Sequence, residues 1–209
     1  MKIAVIGAGQ VGVALAQGWA QAGHTIVFGV RDQTSDKSVA AARAIPSATF
    51  AQVEQARIGA DVIVLAVPFP VAISTAQALG PLAGLPLIDC TNPVGPGLTH
   101  GLDSARSGSE ALQAAVPDAR VVKAFSIYGF EVLGDANFGD AGPATMLIAG
   151  DDEPALELTS QLTRDLGFEP LPVGGLNAAL QLEHMTLLWV RMVRAQGHPA
   201  GLAWKRCTR

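Results

Sequence analysis

The chain has 209 residues, 49% of them hydrophobic and only 15% charged, with a formal net charge of −4. Such a chain can bury a large core and is not disordered, and the lack of a concentrated basic run argues against nucleic acid as a partner. Its two cysteines, Cys90 and Cys207, are too few and too far apart for a disulfide framework or a metal cage.

Taken in chain order, the pattern alternates strands and helices. Lys2–Ile6 reads as a short strand that follows Met1 directly, with no secretory pattern ahead of it. Val11–Gln21 has helical composition and stops at Gly23. Thr25–Phe28 is a second strand, and a helix is expected over Ser38–Ala44. Asp61–Val67 is continuous Val, Ile and Leu after its first residue, as a strand buried on both faces requires. The surrounding apolar run, Val62–Val71, is too short for a bilayer and contains Pro68 and Pro70. A soluble, cytoplasmic protein with no membrane partner is therefore expected.

Pro70–Leu79 follows as a helix, Leu87–Cys90 as a strand, residues 94–108 as a Gly/Pro-rich loop, Ser109–Ala115 as a helix and Arg120–Phe125 as a strand. The alternation then continues in miniature. Thr145–Gly150 is a strand, Asp152 caps a helix with Pro154 in its first turn, and that helix ends at Gly167. Phe168–Val173 is a strand, and a long helix runs from Leu176 to about Gln196. The fold class predicted is α/β: a Rossmann-type, doubly wound parallel sheet with a small α/β C-terminal extension. A dinucleotide-binding domain is placed at 1–140 and a smaller domain at 141–209, where the boundary is soft.

The segment Gly7-Ala8-Gly9-Gln10-Val11-Gly12 follows a strand and opens a helix. That context makes it a dinucleotide fingerprint. Gly7 permits the tight turn, Gly9 lets the backbone approach a pyrophosphate, and Gly12 lets the helix pack on the sheet. The helix N-terminus supplies free N–H groups for phosphate. The second strand runs on to Phe28-Gly29-Val30-Arg31, with no acid at its tip for a ribose 2′-hydroxyl. Arg31 stands where a 2′-phosphate would lie, with Ser35 and Lys37 close behind, so NADP is expected as the cofactor. Asp32 is one residue late and would partly oppose that phosphate. Ala66-Val67-Pro68-Phe69 ends the central strand at its carboxyl edge, where ligands lie in open α/β sheets, and Phe69 is a candidate neighbour of the adenosine. Asn92 is either a nicotinamide contact or the start of an Asn-Pro turn.

Three features carry a family resemblance: the opening IAVIGAGQVG, the run VFGVRD, and a C-terminal set. That set comprises Val121 to Ser126, Ile148 to Asp152, Leu166 to Pro170, Gly174-Gly175-Leu176 and the helix bearing Glu183. Across almost its whole length the chain resembles the NADP oxidoreductases that use the deazaflavin coenzyme F420, and the related cytosolic domain of the STEAP metalloreductases. The resemblance implies hydride transfer between NADPH and a flavin-type acceptor (the deazaflavin, FMN or FAD). It places that acceptor against Ser126–Gly129 and the C-terminal part, and it implies a homodimer. Ser126 stands where family members often carry His or Asn, Gly129 near where they carry Pro, Leu180 where an Arg is common, and Val30 where Ser or Thr is common.

No Ser/His/Asp set, HExxH or CxxC pattern is present, so no catalytic side chain and no metal ligand is assigned. Hydride transfer to a flavin needs little beyond distance and orientation. Lys123, Tyr128, Glu183 and His184 are the remaining polar candidates. Lys123 either reaches the crevice or snorkels to water; Glu183 and His184 are expected to be solvated or capping residues. Leu180, Leu187, Leu188 and Val190 are expected to form a core or dimer stripe. Two other functions fit less of the sequence. A small-substrate NADP dehydrogenase usually needs a large helical domain, and a non-catalytic NADP sensor rests only on the departures from the family pattern.

Overall fold

The computed structural model describes residues 1–209. One eight-stranded sheet organises it, in the order β3-β2-β1-β4-β5-β6-β7-β8. The strands are β1 (Lys2–Ile6), β2 (Thr25–Gly29), β3 (Thr49–Ala51), β4 (Val62–Leu65), β5 (Pro86–Asp89), β6 (Arg120–Lys123), β7 (Thr145–Gly150) and β8 (Glu169–Pro172). β1 to β6 are all parallel, as the sequence predicts for a doubly wound sheet. β7 runs antiparallel to β6, with Lys123 opposite Ala149, and β8 pairs parallel to β7. The C-terminal extension therefore continues the same sheet.

The strands alternate their side chains between two cores, as a sheet covered on both faces must. Ile3, Val5, Val62 and Val64 point to one core; Ala4, Ile6, Ile63 and Leu65 point to the other. The first core also takes residues of α1 (Gln10–Gln21), α7 (Glu153–Asp165) and α8 (Ala179–Val190). The second takes residues of α3 (Val53–Ala56), α4 (Phe69–Ala78) and α5 (Gly108–Ala115). Two helices complete the set, α2 (Asp36–Ala44) and α6 (Phe130–Leu133). Trp19 joins the N-terminal half to the extension. Its indole N–H donates to the carbonyl of Leu162 at 2.9 Å, and its ring meets Phe125 edge-on at 5.5 Å.

The local signals for helix ends hold. Asp152 accepts the N–H of Ala155 at 3.0 Å, and Ser107 and Glu110 form a reciprocal capping box on α5. β3 and α3 were not predicted from sequence, because three and four residues are too few to show a period.

The long C-terminal helix needs a larger correction. It is a 3-10 turn over Leu176–Ala178, then α8, then a π-helical turn over Arg191–Ala195. Its buried face is Ala179, Leu182, Glu183, Thr186, Trp189 and Val193. The expected apolar stripe is a different one. Leu188 is half exposed, and of the four stripe residues only Val190 packs against a core. Two polar residues, Glu183 and Thr186, occupy the inward face because buried partners await them, so apolar periodicity does not mark the face that α8 turns to the core.

Trp19→Phe should leave the Leu162 carbonyl buried without its donor. We expect a loss of about 2 kcal/mol in chemical denaturation; an unchanged midpoint would show that α1 and α7 do not depend on this bond.

Candidate functional site: the cleft at the carboxyl edge of the sheet

The strand order reverses between β1 and β4, and the glycine turn sits at that point. Gly7 has φ +107°, and an added Cβ would lie 2.6 Å from the carbonyl oxygen of Ala66. At Gly12 a Cβ would lie 2.2 Å from the carbonyl of Gly7. α1 is therefore pressed onto the ends of β1 and β4 at a distance only glycine allows. Gly9 is the N-cap of α1 and no side chain caps the helix. A Cβ at Gly9 would meet no protein atom within 4 Å. The first N–H groups of α1 thus open onto free space, the arrangement that suits a phosphate.

That space is a cleft of about 580 Å³. The turn contributes Gly7, Ala8, Gly9, Gln10 and Val11; the loop after β2 contributes Arg31, Ser35 and Lys37; and the end of β4 contributes Ala66, Val67 and Pro68. These were assigned from three separate stretches of sequence, and the fold brings them to one wall. Arg31 and Lys37 are exposed and neither makes an ion pair. The loop between them is held by its own hydrogen bonds. Asp32 accepts from the hydroxyl of Thr34 at 2.7 Å and its N–H at 2.8 Å, and these hold its carboxyl below the usual carboxylate range. The Asp32 carbonyl accepts from the hydroxyls of Ser35 and Ser38 at 3.0 and 2.7 Å, while Ser35 caps α2. One oxygen of the Asp32 carboxylate is thus held by its own turn, and the residue also lines the cleft.

Four assigned residues lie outside this lining. Gly12 is behind it, in the helix–sheet contact. Phe69 opens α4 with its ring against Gly108, where an added Cβ would come within 2.6 Å of it. Asn92 spends its amide inside the protein. Its Nδ2 donates to the carbonyl of Ser126 at 3.2 Å, and its Oδ1 accepts from the hydroxyl of Thr186 at 2.9 Å. Ser126 is buried, and its hydroxyl has no partner. It follows Phe125, whose φ of +55° is rare for a bulky residue.

The sequence reading missed Val53, Val71, Thr75, Cys90 and Phe130, which also line the cleft. Cys90 was legible in principle, since it follows the end of β5, where such ligands lie. Burial, reinforced by the neighbouring Asp89, pushes its thiol far above the ordinary range, so it stays protonated. Phe130 carries no sequence signal; it reaches the cleft because α6 packs across α1. A larger groove of about 790 Å³ lies at the opposite end of β6. Its Arg120 is paired with Asp152 at 3.2 Å, Asp151 accepts the N–H of Leu176, and it is remote from the glycine turn.

Two polar residues correct the sequence reading. Lys123 is fully buried, and neither the open crevice nor water receives its ammonium. It lies 3.2 Å from Asp89 and 3.3 Å from Glu183. Glu183, expected in solvent, is 1% exposed and also bonds His100 at 2.8 Å. His184 is exposed, with a single bond to Ser104. No group of three or more His, Cys, Asp or Glu side chains is arranged to hold a metal ion, and no helix is long and apolar enough to cross a membrane.

An uncapped helix N-terminus over a glycine turn, at the switch point of a parallel sheet, defines a dinucleotide-binding oxidoreductase fold. Residues 2–93 match the family model for NADP oxidoreductase, coenzyme F420-dependent. The chain is 32% identical to the F420-dependent NADP reductase of Methanothermobacter marburgensis, over 92% of this chain and 92% of that one. It is 29% identical to the metalloreductase STEAP3 of Rattus norvegicus, over 89% of this chain but only 36% of that longer protein. A crystal structure from Arthrobacter sp. FB24, provisionally described as an F420-dependent NADP-reductase, superposes with a TM-score of 0.90 at 26% identity, covering 100% of both chains. The chain belongs to the F420-dependent NADP oxidoreductase family and is an NADP-dependent oxidoreductase.

Gly9→Ala and Gly12→Ala should behave oppositely. At Gly9 the methyl meets no protein atom, so the unfolding midpoint should hold while NADPH affinity falls about tenfold or more. At Gly12 the collision with Gly7 should cost about 3 kcal/mol of stability. Thermal melts with and without NADPH separate the two; equal stability losses would contradict the assigned roles.

Proposed function

We propose that this protein transfers a hydride between NADPH and the deazaflavin coenzyme F420. The observation that carries the cofactor half is the pair of unpaired cations, Arg31 and Lys37, on the loop at the tip of β2, across the cleft from the uncapped start of α1. In this reading the N–H groups of Gln10, Val11 and Gly12 hold the pyrophosphate, and Arg31 and Lys37 hold the 2′-phosphate. Asp32 lines the same cleft and stays ionised, so Arg31 and Lys37 together must outweigh its opposition to that phosphate. The acceptor half is supported by the likeness to the Methanothermobacter reductase, which extends through the C-terminal extension. Phe130 would form the wall on that side, with Ser126 near it.

The bound rings supply the redox chemistry. The chain holds them at a fixed distance in a cleft with apolar walls: Val11, Val67, Val71 and Phe130 exclude water, and the protonated Cys90 thiol offers no competing nucleophile.

The test follows nicotinamide absorbance after addition of F420, FMN or FAD to protein with NADPH or NADH. F420 reduction with NADPH preferred is the expected result. Arg31→Ala should raise KM for NADPH about tenfold to a hundredfold and leave that for NADH nearly unchanged. Turnover with FMN or FAD alone would overturn the deazaflavin assignment, and equal loss with both nicotinamides would overturn the role of Arg31.

A further inference from the structure

Behind the carboxyl ends of β5 and β6 lies a group of charges that the proposed reaction does not use. Asp89 ends β5 and Lys123 ends β6, each 0% exposed, and Glu183 enters from α8. Asp89 accepts from the N–H of Thr91 at 2.9 Å, the hydroxyl of Ser109 at 2.6 Å and the ammonium of Lys123 at 3.2 Å. Glu183 accepts from the N–H of Gly108 at 2.9 Å and the ring of His100 at 2.8 Å, and lies 3.3 Å from Lys123. Every partner of both carboxylates is placed to donate, the arrangement that suits two carboxylate anions.

His100 adds no charge. Its Nδ1 accepts the N–H groups of Leu102 and Ser104 at 3.3 and 3.2 Å, so the ring proton sits on Nε2, facing Glu183. Two carboxylates thus face one ammonium, which leaves one surplus negative charge. The N-terminus of α5, at Gly108, offsets part of it.

A buried set of this kind is weak evidence for stability, because apolar residues of similar volume often do as well or better. Its position is more informative. Cys90, which lines the cofactor cleft, stands in the chain between Asp89 and Thr91. Lys123 also donates to the carbonyl of Thr91, so the cluster grips that residue at both its N–H and its C=O. The surplus charge is therefore fixed directly behind the cleft wall, at β5 and β6, within the second mononucleotide half of the sheet where the nicotinamide lies.

We propose that the buried cluster of Asp89, Lys123, Glu183 and His100 biases the bound cofactor toward its oxidised form, its surplus negative charge stabilising the cationic nicotinamide of NADP+ over the neutral ring of NADPH. This rests on the assignment of the cleft to NADP but not on the identity of the acceptor. A unit charge behind the wall of the cleft, in a partly polar interior and reduced by the dipole of α5, changes the affinity ratio about fivefold.

The measurement is the ratio of Kd for NADP+ to Kd for NADPH, by equilibrium titration without any acceptor. Glu183→Gln removes the surplus and should raise the ratio about fivefold. The triple variant Asp89→Asn, Lys123→Met, Glu183→Gln also reaches zero charge. It leaves no buried ion unpaired, so it reports even where the single variant does not fold, and it should raise the ratio by the same factor. The variant Glu183→Asp disturbs the geometry of the cluster but keeps its one surplus negative charge, and its ratio should stay within about twofold of the wild type. A purely structural cluster would weaken both ligands together, increasingly with each substitution. A ratio that is unchanged in the neutral variants, or that moves as far in Glu183→Asp, overturns the proposal. Wild-type protein that binds neither nucleotide would overturn the cleft assignment itself and the proposal with it. Absence of turnover with F420 touches only the acceptor.

Discussion

The first turn of α1 is pressed so closely onto the ends of β1 and β4 that a methyl on Gly12 would meet the Gly7 carbonyl at 2.2 Å, and one on Gly7 the Ala66 carbonyl at 2.6 Å. From this crowding the rest of the site follows. The helix starts without a side-chain cap, its N–H groups face open space, and β4 ends where Ala66, Val67 and Pro68 close the cleft. The loop after β2 then needs only to bring Arg31 and Lys37 to the same opening. It does so through an Asp32 turn and a Ser35 cap made from its own polar groups. The wall is thereby built from backbone geometry at three strand ends, with few side-chain contacts to hold it.

The second half of the sheet is fixed by different physics. Around β5 and β6 the positioning contacts are buried or partly buried polar ones, several to a charged group, and they span long distances in sequence: Lys123 to Asp89, Glu183 to His100 and Gly108, Thr186 to Asn92 and to the carbonyl of Ser126. α8 contributes to most of them. The loop after β5, the segment after β6 and the start of α5 therefore depend on the C-terminal extension for their shape. Relative to the nucleotide wall, this half is costly to assemble, because each buried charge requires all its partners. The left-handed Phe125 and the unpartnered hydroxyl of Ser126 lie in the same stretch. Such departures concentrate where a site is being shaped.

The two halves were unequally legible. The cleft lining around α1 was readable almost residue by residue, because its determinants are contiguous: a glycine spacing, a missing acid at a strand tip, a strand end. Phe69 and Asn92 show the limit of that reasoning. Both stand at the expected strand ends, yet the ring of Phe69 lies against Gly108 and the amide of Asn92 is consumed by Ser126 and Thr186. Phe130 reaches the cleft only through the packing of α6 on α1, which no periodicity announces. Lys123 and Glu183 were misplaced because isolated charges on apolar elements are usually solvated, and the exceptions reveal themselves only when their partners are known.

By itself, then, the sequence determined the parallel doubly wound architecture, the glycine turn that opens α1 and the cationic loop beside it. These depend on short-range sterics and on hydrophobic runs that leave a direct imprint on the order of residues. The tertiary structure alone decided that β7 reverses direction against β6, that α8 turns Glu183 inward instead of its apolar stripe, and that two carboxylates, a lysine and a histidine share one buried cluster behind the cleft wall. A buried charge is stable only with partners a long way off in the chain, so no local pattern can record it.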